Sequence, residues 1–276
     1  MTSPWFGYAL TFAGLFGLVI GSFLNVVIYR VPAGVPLTRA SQCPACDAPV
    51  KPWQNVPVVS WLVLRAKCAA CGAGISGRYP LVELATGLTF VAIVWWLIDA
   101  FGIAAVSPQA EFWPTLVAFL YLAAISIALT LIDLDTRRLP NPIVLPSYVV
   151  LGLLFSLACV LGAPWEGLLR AAIGGAALFA FYFLLRLIRP GGMGGGDVKL
   201  AGVLGIALGW VGWGALVVGA FAAFVFGGVF GVALLVLRRA GRKSAIPFGP
   251  WMIAGAWVGI LAGESLAQWY LGLLAG

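Results

Sequence analysis

Eight stretches of mostly apolar residues alternate along the chain with shorter polar connections. A helix needs about 20 mostly apolar residues to cross the hydrocarbon core of a bilayer. The pattern therefore predicts an all-α polytopic membrane protein with about eight transmembrane helices. We expect the glycine-rich sixth stretch, which is short, to be tilted or to begin earlier and be buried by its neighbours. The predicted spans are Trp5–Tyr29, Pro80–Ile98, Trp113–Ile132, Ile143–Leu161, Leu168–Leu187, Leu200–Val211, Gly214–Leu237 and Phe248–Leu274.

The segment between the first two spans departs from this pattern, because it is polar and repeatedly interrupted by proline. A region of about 50 residues is too small to bury an adequate core without further support. The predicted organisation is therefore a first transmembrane helix (1–29), a small, zinc-ribbon-like cytoplasmic insert with four cysteines (30–79) and a transmembrane bundle (80–276).

Composition agrees with a membrane protein, since 62% of the residues are hydrophobic and 9% are charged. Soluble domains carry about 25% charged residues. The net charge of +7 does not indicate nucleic-acid binding, because the basic residues lie between apolar runs, as they do in loops that flank membrane spans. We expect the lipid bilayer as a partner and no nucleic acid.

The basic residues also predict the orientation of the chain in the membrane. They concentrate in every second connection, and loops rich in Lys and Arg stay in the cytoplasm. Only Arg170, at the edge of a span, breaks the alternation. The basic residues of these connections are Arg30, Arg39, Lys51, Arg65, Lys67 and Arg78; Arg137 and Arg138; Arg186, Arg189 and Lys199; and Arg238, Arg239, Arg242 and Lys243.

Four cysteines of the insert form two C-x-x-C pairs, Cys43 with Cys46 and Cys68 with Cys71, separated by 21 residues. This spacing is close to that of a zinc ribbon, in which each pair supplies two thiolates to one tetrahedral ion. A structural zinc would replace the missing core of the insert. A redox centre and unligated thiols are the alternatives, whereas stable disulfides are rare in the cytosol. Cys159 lies in an apolar span and is interpreted as a packing residue.

The chain contains no histidine, which excludes Ser-His and Cys-His catalysis and His-ligated zinc. Acid–base chemistry must then come from other side chains, and the carboxylates are the main candidates. Asp133 and Asp135 lie where the third span meets the cytoplasm, and Asp197 follows Gly194–Gly196 where the sixth stretch begins at the same face. Carboxylates near membrane depth are costly and usually functional.

Two carboxylates at one depth could share a proton, so that one can activate water while the other polarises a peptide carbonyl. Asp133 and Asp197 are thus predicted to form an aspartic protease pair. Asp197 has an alternative role as a helix cap. Asp135 is interpreted as an ion-pair partner of Arg137 and Arg138.

The motifs together resemble those of the type IV prepilin peptidases, which are membrane aspartyl proteases with a G-x-G-D motif. The resemblance extends along most of the chain. It is carried by Gly21-Ser-Phe-Leu-Asn-Val-Val-Ile-Tyr-Arg30, the cysteine pairs, Asn55-Val-Pro-Val-Val-Ser-Trp61, Ser76-Gly-Arg-Tyr-Pro80 with Glu83, the segment from Asp133 to Leu139-Pro-Asn, Gly195-Gly-Asp-Val-Lys199 and Pro247-Phe-Gly-Pro250.

The resemblance implies an enzyme of the bacterial inner membrane that cleaves the basic leader of prepilins or pseudopilins after a glycine, at the cytoplasmic face. It places the catalytic carboxylates at Asp133 and Asp197. It also implies N-methylation of the new N-terminus with S-adenosylmethionine, since methylating members tend to carry the cysteine insert. The residues themselves do not indicate where S-adenosylmethionine binds.

Two other functions fit parts of the pattern. An ion-coupled transporter could use Asp133 and Asp197, but it would predict inverted repeats and carboxylates near the bilayer midplane. A redox membrane protein could use the C-x-x-C pairs, but it would need an exposed thiol of low pKa.

Overall fold

The structure is a computed structural model that describes residues 4–102, 109–189, 193–237 and 247–275. Within these ranges the chain is mostly helical, and it forms two isolated β-bridges but no strand. The fourth basic cluster, residues 238–243, lies outside the described residues. The α-helices are α1 (Pro4–Ala33), α2 (Val59–Val63), α3 (Arg78–Ala100), α4 (Phe112–Thr136), α5 (Asn141–Val160), α6 (Trp165–Ile188), α7 (Gly195–Val211), α8 (Trp213–Val236) and α9 (Gly249–Ala275).

Each predicted span corresponds to one of the long helices. Among the described residues, six helices are long and apolar enough to cross a membrane, namely α1, α3, α4, α5, α6 and α8. The all-α polytopic fold is therefore confirmed, and the number of eight transmembrane helices stays a prediction. Two boundaries differ in a way that matters for function: α4 continues past Ile132 to Thr136, and α7 begins at Gly195 rather than at Leu200.

The chain divides into two compact units. One comprises Met1–Pro108 with Phe119–Ala128, and the other comprises Gln109–Ala118 with Leu129–Gly276. The predicted three-part division of the chain, with boundaries after residues 29 and 79, stays a prediction.

The first unit is built on the helix pair α1 and α3. Glycine allows their close approach, since a Cβ atom on Gly17 would lie 2.7 Å from the Cα of Gly87, and one on Gly21 would lie 2.6 Å from the Cα of Glu83. The G-x-x-x-G spacing of Gly17 and Gly21 thus serves helix packing. In the last turn of α1, the buried guanidinium of Arg30 donates hydrogen bonds to backbone carbonyls of the insert.

Helix α7 lies at the centre of the second unit, where it contacts α5, α6, α8 and α9. Most of its residues are buried, so the expectation of a short helix that begins early and is covered by its neighbours is confirmed. On the α5 side, the hydroxyl of Tyr148 donates a hydrogen bond of 2.6 Å to the carbonyl oxygen of Lys199.

Arg170, which breaks the alternation of basic loops, has a structural partner at the other end of α7. It lies near the start of α6, and its guanidinium donates hydrogen bonds of 3.3 Å to the carbonyl oxygens of Gly209 and Trp210. These carbonyls belong to the last turn of α7, where helical carbonyls lack partners and the helix dipole favours a cation. Helix capping therefore accounts for the position of Arg170.

Candidate active site

Asp133 lies in the last turn of α4, and its side chain is 4% exposed. The helix ends because Arg137 adopts a left-handed conformation (φ 55°) and donates its N–H to the Asp133 carbonyl oxygen. The Oδ2 atom of Asp133 accepts a hydrogen bond of 3.1 Å from the backbone N–H of Gly249. Gly249 is the first residue of α9, so the carboxylate faces the positive end of that helix dipole.

Gly249 is a candidate site residue within a motif that carries the family resemblance but does not itself indicate a role for this residue. A Cβ atom at this position would lie 2.7 Å from Oδ2 of Asp133, so a larger residue would displace the carboxylate. A signal for it exists in Pro247-Phe-Gly-Pro250, because proline at the start of an apolar span marks a helix N-terminus.

Asp197 is the third residue of α7, and its Oδ2 accepts a hydrogen bond of 3.0 Å from the backbone N–H of Gly194. A side chain that reaches back from the third helical position in this way satisfies a backbone donor that the helix leaves free. This capping contact differs from the N-cap role considered for Asp197, because the N-cap residue is Gly194. It uses one carboxylate oxygen and leaves the other available for chemistry.

Leu139, in the connection between α4 and α5, links the two carboxylate segments. Its side chain packs against Gly196, where an added Cβ atom would lie 2.8 Å from the Leu139 Cβ. It also reaches Gly249, where an added Cβ atom would lie 3.4 Å from Leu139 Cδ2. Gly196 directly precedes Asp197, and Gly249 binds Asp133. Because one side chain contacts both glycines, Asp133 and Asp197 lie on the same side of the unit.

Asp135 differs from Asp133 in its environment, since it is exposed. Residues two positions apart on a helix point to different sides, so α4 directs only one of these carboxylates toward Gly249. The ion-pair role of Asp135 stays a prediction.

Helix α6 contributes a cation near the start of α7, because the guanidinium of Arg186 lies against Gly195.

Glu83 belongs to the other unit. It is 7% exposed, and its Oε2 accepts a hydrogen bond of 2.7 Å from the backbone N–H of Val58. Val58 has a left-handed backbone (φ 62°), which is unfavourable for a β-branched residue. The bond therefore fixes the middle of the insert on α3.

The four cysteines of the insert come together as the spacing predicts. All four Sγ atoms lie within 4.8 Å of one another, and those of Cys43 and Cys71 are 3.9 Å apart. All four thiols are free, so no disulfide joins them. Four thiolates on a tetrahedral zinc at about 2.3 Å would be about 3.8 Å apart, so the cluster fits such an ion.

The two cysteine pairs are held by equivalent turns. The N–H of Cys43 donates to the carbonyl of Ala48, and the N–H of Cys68 donates to the carbonyl of Ala73. Hydrogen bonding from the backbone N–H of Cys71 is the main reason that the pKa of Cys68 falls to about 6. The pKa of Cys46 in the same cluster is raised instead, to about 12, so it is the convergence of the four thiols that favours a metal.

Cys159 has a different environment. It is buried in an apolar cluster with Ala158 and Ala163, and Leu168 and Trp210 pack against that cluster. This is the surrounding expected of a packing residue.

Comparison with known proteins identifies the family of the chain. Residues 15–97 match the bacterial peptidase A24 N-terminal domain, and residues 120–232 match the type IV leader peptidase family. No solved structure gives a significant match.

Curated relatives match over almost the whole chain, and the three described next are each named prepilin leader peptidase/N-methyltransferase. The relative from Aeromonas hydrophila is 37% identical, with 97% of this chain and 95% of the relative covered. The relative from Stutzerimonas stutzeri is 37% identical, with 92% and 91% covered. The relative from Neisseria gonorrhoeae is 36% identical, with 96% and 95% covered. The chain therefore belongs to the type IV leader peptidase family.

Proposed function

We propose that this protein is a membrane aspartic endopeptidase that removes the leader of type IV prepilins or pseudopilins, with Asp133 and Asp197 as its catalytic pair. The observation that carries the proposal is that two carboxylates from segments far apart in sequence lie on the same side of one unit, since their neighbours Gly249 and Gly196 both contact the side chain of Leu139. Each carboxylate keeps one oxygen on a backbone N–H. The names of the relatives supply the substrate class.

The chemistry follows from a pair that holds one proton. The ionised carboxylate takes a proton from water, and the water oxygen attacks the peptide carbonyl carbon. The protonated carboxylate gives its proton to the carbonyl oxygen, which yields a tetrahedral diol. Collapse of the diol breaks the C–N bond: the protonated carboxylate gives its proton to the leaving nitrogen, and the other carboxylate takes a proton from one diol hydroxyl, so the pair again holds one proton. The proton belongs to the pair rather than to either residue.

The transporter alternative receives no support from the comparisons, since the relatives are named as peptidases. We place the active site and the insert at the cytoplasmic face of a bacterial inner membrane. The distribution of Lys and Arg supports this orientation, and the apolar helices support the membrane location.

We further propose that the enzyme methylates the new N-terminus with S-adenosylmethionine as methyl donor, because the relatives carry that activity in their names. The insert is proposed to hold one structural zinc ion through Cys43, Cys46, Cys68 and Cys71. Four converging thiolates would stabilise a segment that has little core of its own.

A synthetic prepilin incubated with the purified protein in detergent tests the function. The product mass should show loss of the leader after the glycine and, when S-adenosylmethionine is added, a gain of one methyl group. A matched substrate with valine in place of that glycine should be cleaved very slowly. Failure to release any product from the glycine substrate would contradict the proposal.

A further inference from the structure

Tyr182, near the end of α6, is one of the largest fully buried side chains and is 2% exposed. Its ring packs on Phe224 of α8, with centroids 5.6 Å apart, and on Phe248, with centroids 6.3 Å apart. Phe248 directly precedes Gly249, the residue whose N–H binds Asp133. The ring is thus fixed beside the segment that positions one carboxylate.

The register between α6 and α7 places the same tyrosine beside the other carboxylate. The helices are antiparallel, and Gly174 lies against Gly205. The bond from Arg170 to the end of α7 keeps the same register. Continued toward the start of α7, this register brings Tyr182 opposite Asp197.

The hydroxyl of Tyr182 makes no hydrogen bond to another residue that the structure describes. Among those residues no fully buried polar side-chain atom lacks a partner, so the hydroxyl borders open space. Tyr182 also lines a small cavity between α6, α7, α8 and α9, and the other side chains of that lining are apolar. A hydroxyl that borders open space, in an otherwise apolar surrounding, is available to donate a hydrogen bond to a bound group.

We propose that Tyr182 is a third catalytic residue, whose hydroxyl donates a hydrogen bond to the carbonyl oxygen of the peptide bond being cleaved. This proposal rests on the pair of Asp133 and Asp197. As water attacks the carbonyl carbon, the C=O π electrons move onto that oxygen. A neutral donor fixed in an apolar surrounding stabilises the developing charge without having to reorganise. The hydroxyl keeps its own proton throughout.

The test replaces Tyr182 by phenylalanine, which keeps the ring packing and removes only the hydroxyl. We expect kcat for prepilin cleavage to fall about 10- to 100-fold with KM changed by less than about twofold, since the bond strengthens in the transition state. The thermal unfolding midpoint should stay within about 2 °C, because no hydrogen bond within the described protein is lost. A difluoroketone peptide, whose hydrate resembles the tetrahedral diol, should lose affinity by a similar factor.

Tyr148→Phe is the matched control, because that hydroxyl is bonded to a backbone carbonyl. It should lower the unfolding midpoint and leave kcat within about threefold. If Tyr182→Phe folds and retains kcat and inhibitor affinity, the proposal is wrong. The proposal is also wrong if Tyr182→Phe lowers the unfolding midpoint but leaves kcat and inhibitor affinity unchanged. Asp133→Asn and Asp197→Asn, measured alongside, separate the hypothesis of the carboxylate pair from that of the tyrosine. Activity in either of these variants would refute the pair. Loss of activity in both, with full activity in Tyr182→Phe, would refute only the role of the tyrosine.

Discussion

Gly249→Ala adds a single methyl group beside the proposed active site. The new methyl group would lie 2.7 Å from Oδ2 of Asp133 and 3.4 Å from Cδ2 of Leu139. Real Cβ atoms essentially never approach another heavy atom within 3.0 Å, so the carboxylate has to move and its hydrogen bond to the Gly249 N–H weakens. Catalytic groups must be held within about 0.5 Å of their productive geometry.

A displacement of about 1 Å can cost about 100-fold in rate. We therefore expect kcat/KM for prepilin cleavage to fall about 10- to 100-fold, which corresponds to about 1.4 to 2.7 kcal/mol of transition-state stabilisation. The helix itself should not suffer, because alanine favours helix formation more than glycine does. The assay is leader release followed by mass spectrometry, alongside thermal unfolding in detergent.

Gly228→Ala is the matched control, since an added Cβ atom at Gly228 in α8 would meet nothing within 4 Å. It introduces the same methyl group in the same unit and should leave cleavage unchanged. Normal cleavage by a folded Gly249→Ala variant would refute the proposed importance of the contact between Gly249 and the Asp133 carboxylate. An equal loss in both variants would show that the effect is general.

Two further predictions concern stability and metal. The purified protein should contain about one zinc ion per chain. Cys46→Ser should abolish zinc binding, and Cys159→Ala should leave it unchanged. Elemental analysis that finds no metal, together with a thiol titration that finds the four insert cysteines free, would exclude the zinc site. Arg170→Met should destabilise the protein by about 1.5 to 3 kcal/mol, because two hydrogen bonds from a charged group are lost. Arg138→Met, at an exposed position, should have little effect on stability. Equal thermal unfolding midpoints for the two variants would contradict the capping role of Arg170.

The sequence is sufficient where the signal is local or periodic. Apolar runs of about 20 residues are typical of membrane-spanning helices, and each predicted span corresponds to a helix in the structure. The cysteine spacing is equally informative, because a C-x-x-C turn already directs two thiolates to one point. The absence of histidine reduces the candidate chemistry to a few carboxylates, of which Asp133 and Asp197 lie on the same side of one unit.

The apolar run of α7 starts at Leu200, and the pattern that allows an earlier start does not locate it at Gly195, because hydropathy falls at charged and glycine residues. Asp197 and Lys199 interrupt the apolar run, yet the helix includes them, since the Asp197 side chain satisfies the N–H of Gly194. Hydropathy therefore defines the apolar part of a helix but not its capped end.

Partners that are distant in sequence cannot be predicted from one chain. The bond between Gly249 and Asp133 joins residues 116 positions apart, and no local pattern indicates which helix N-terminus a carboxylate will meet. Tyr182 escapes sequence reasoning for the same cause, because an aromatic residue in an apolar span is usually a packing residue. Its proximity to Asp197 depends on the antiparallel register of α6 and α7.

The central claim is that Asp133 and Asp197 form one catalytic pair, and conversion of each to asparagine tests it most directly. Asn has nearly the same shape as Asp and cannot hold the shared proton. Each purified variant, with Asp135→Asn as the exposed control, is incubated with synthetic prepilin, and the released leader is measured by mass spectrometry. We predict that Asp133→Asn and Asp197→Asn each lower the cleavage rate by at least about 1000-fold and that Asp135→Asn stays within about threefold of the wild type. Near-normal cleavage by either folded variant of the pair, or loss of cleavage in Asp135→Asn with activity retained in Asp133→Asn, would contradict the assignment.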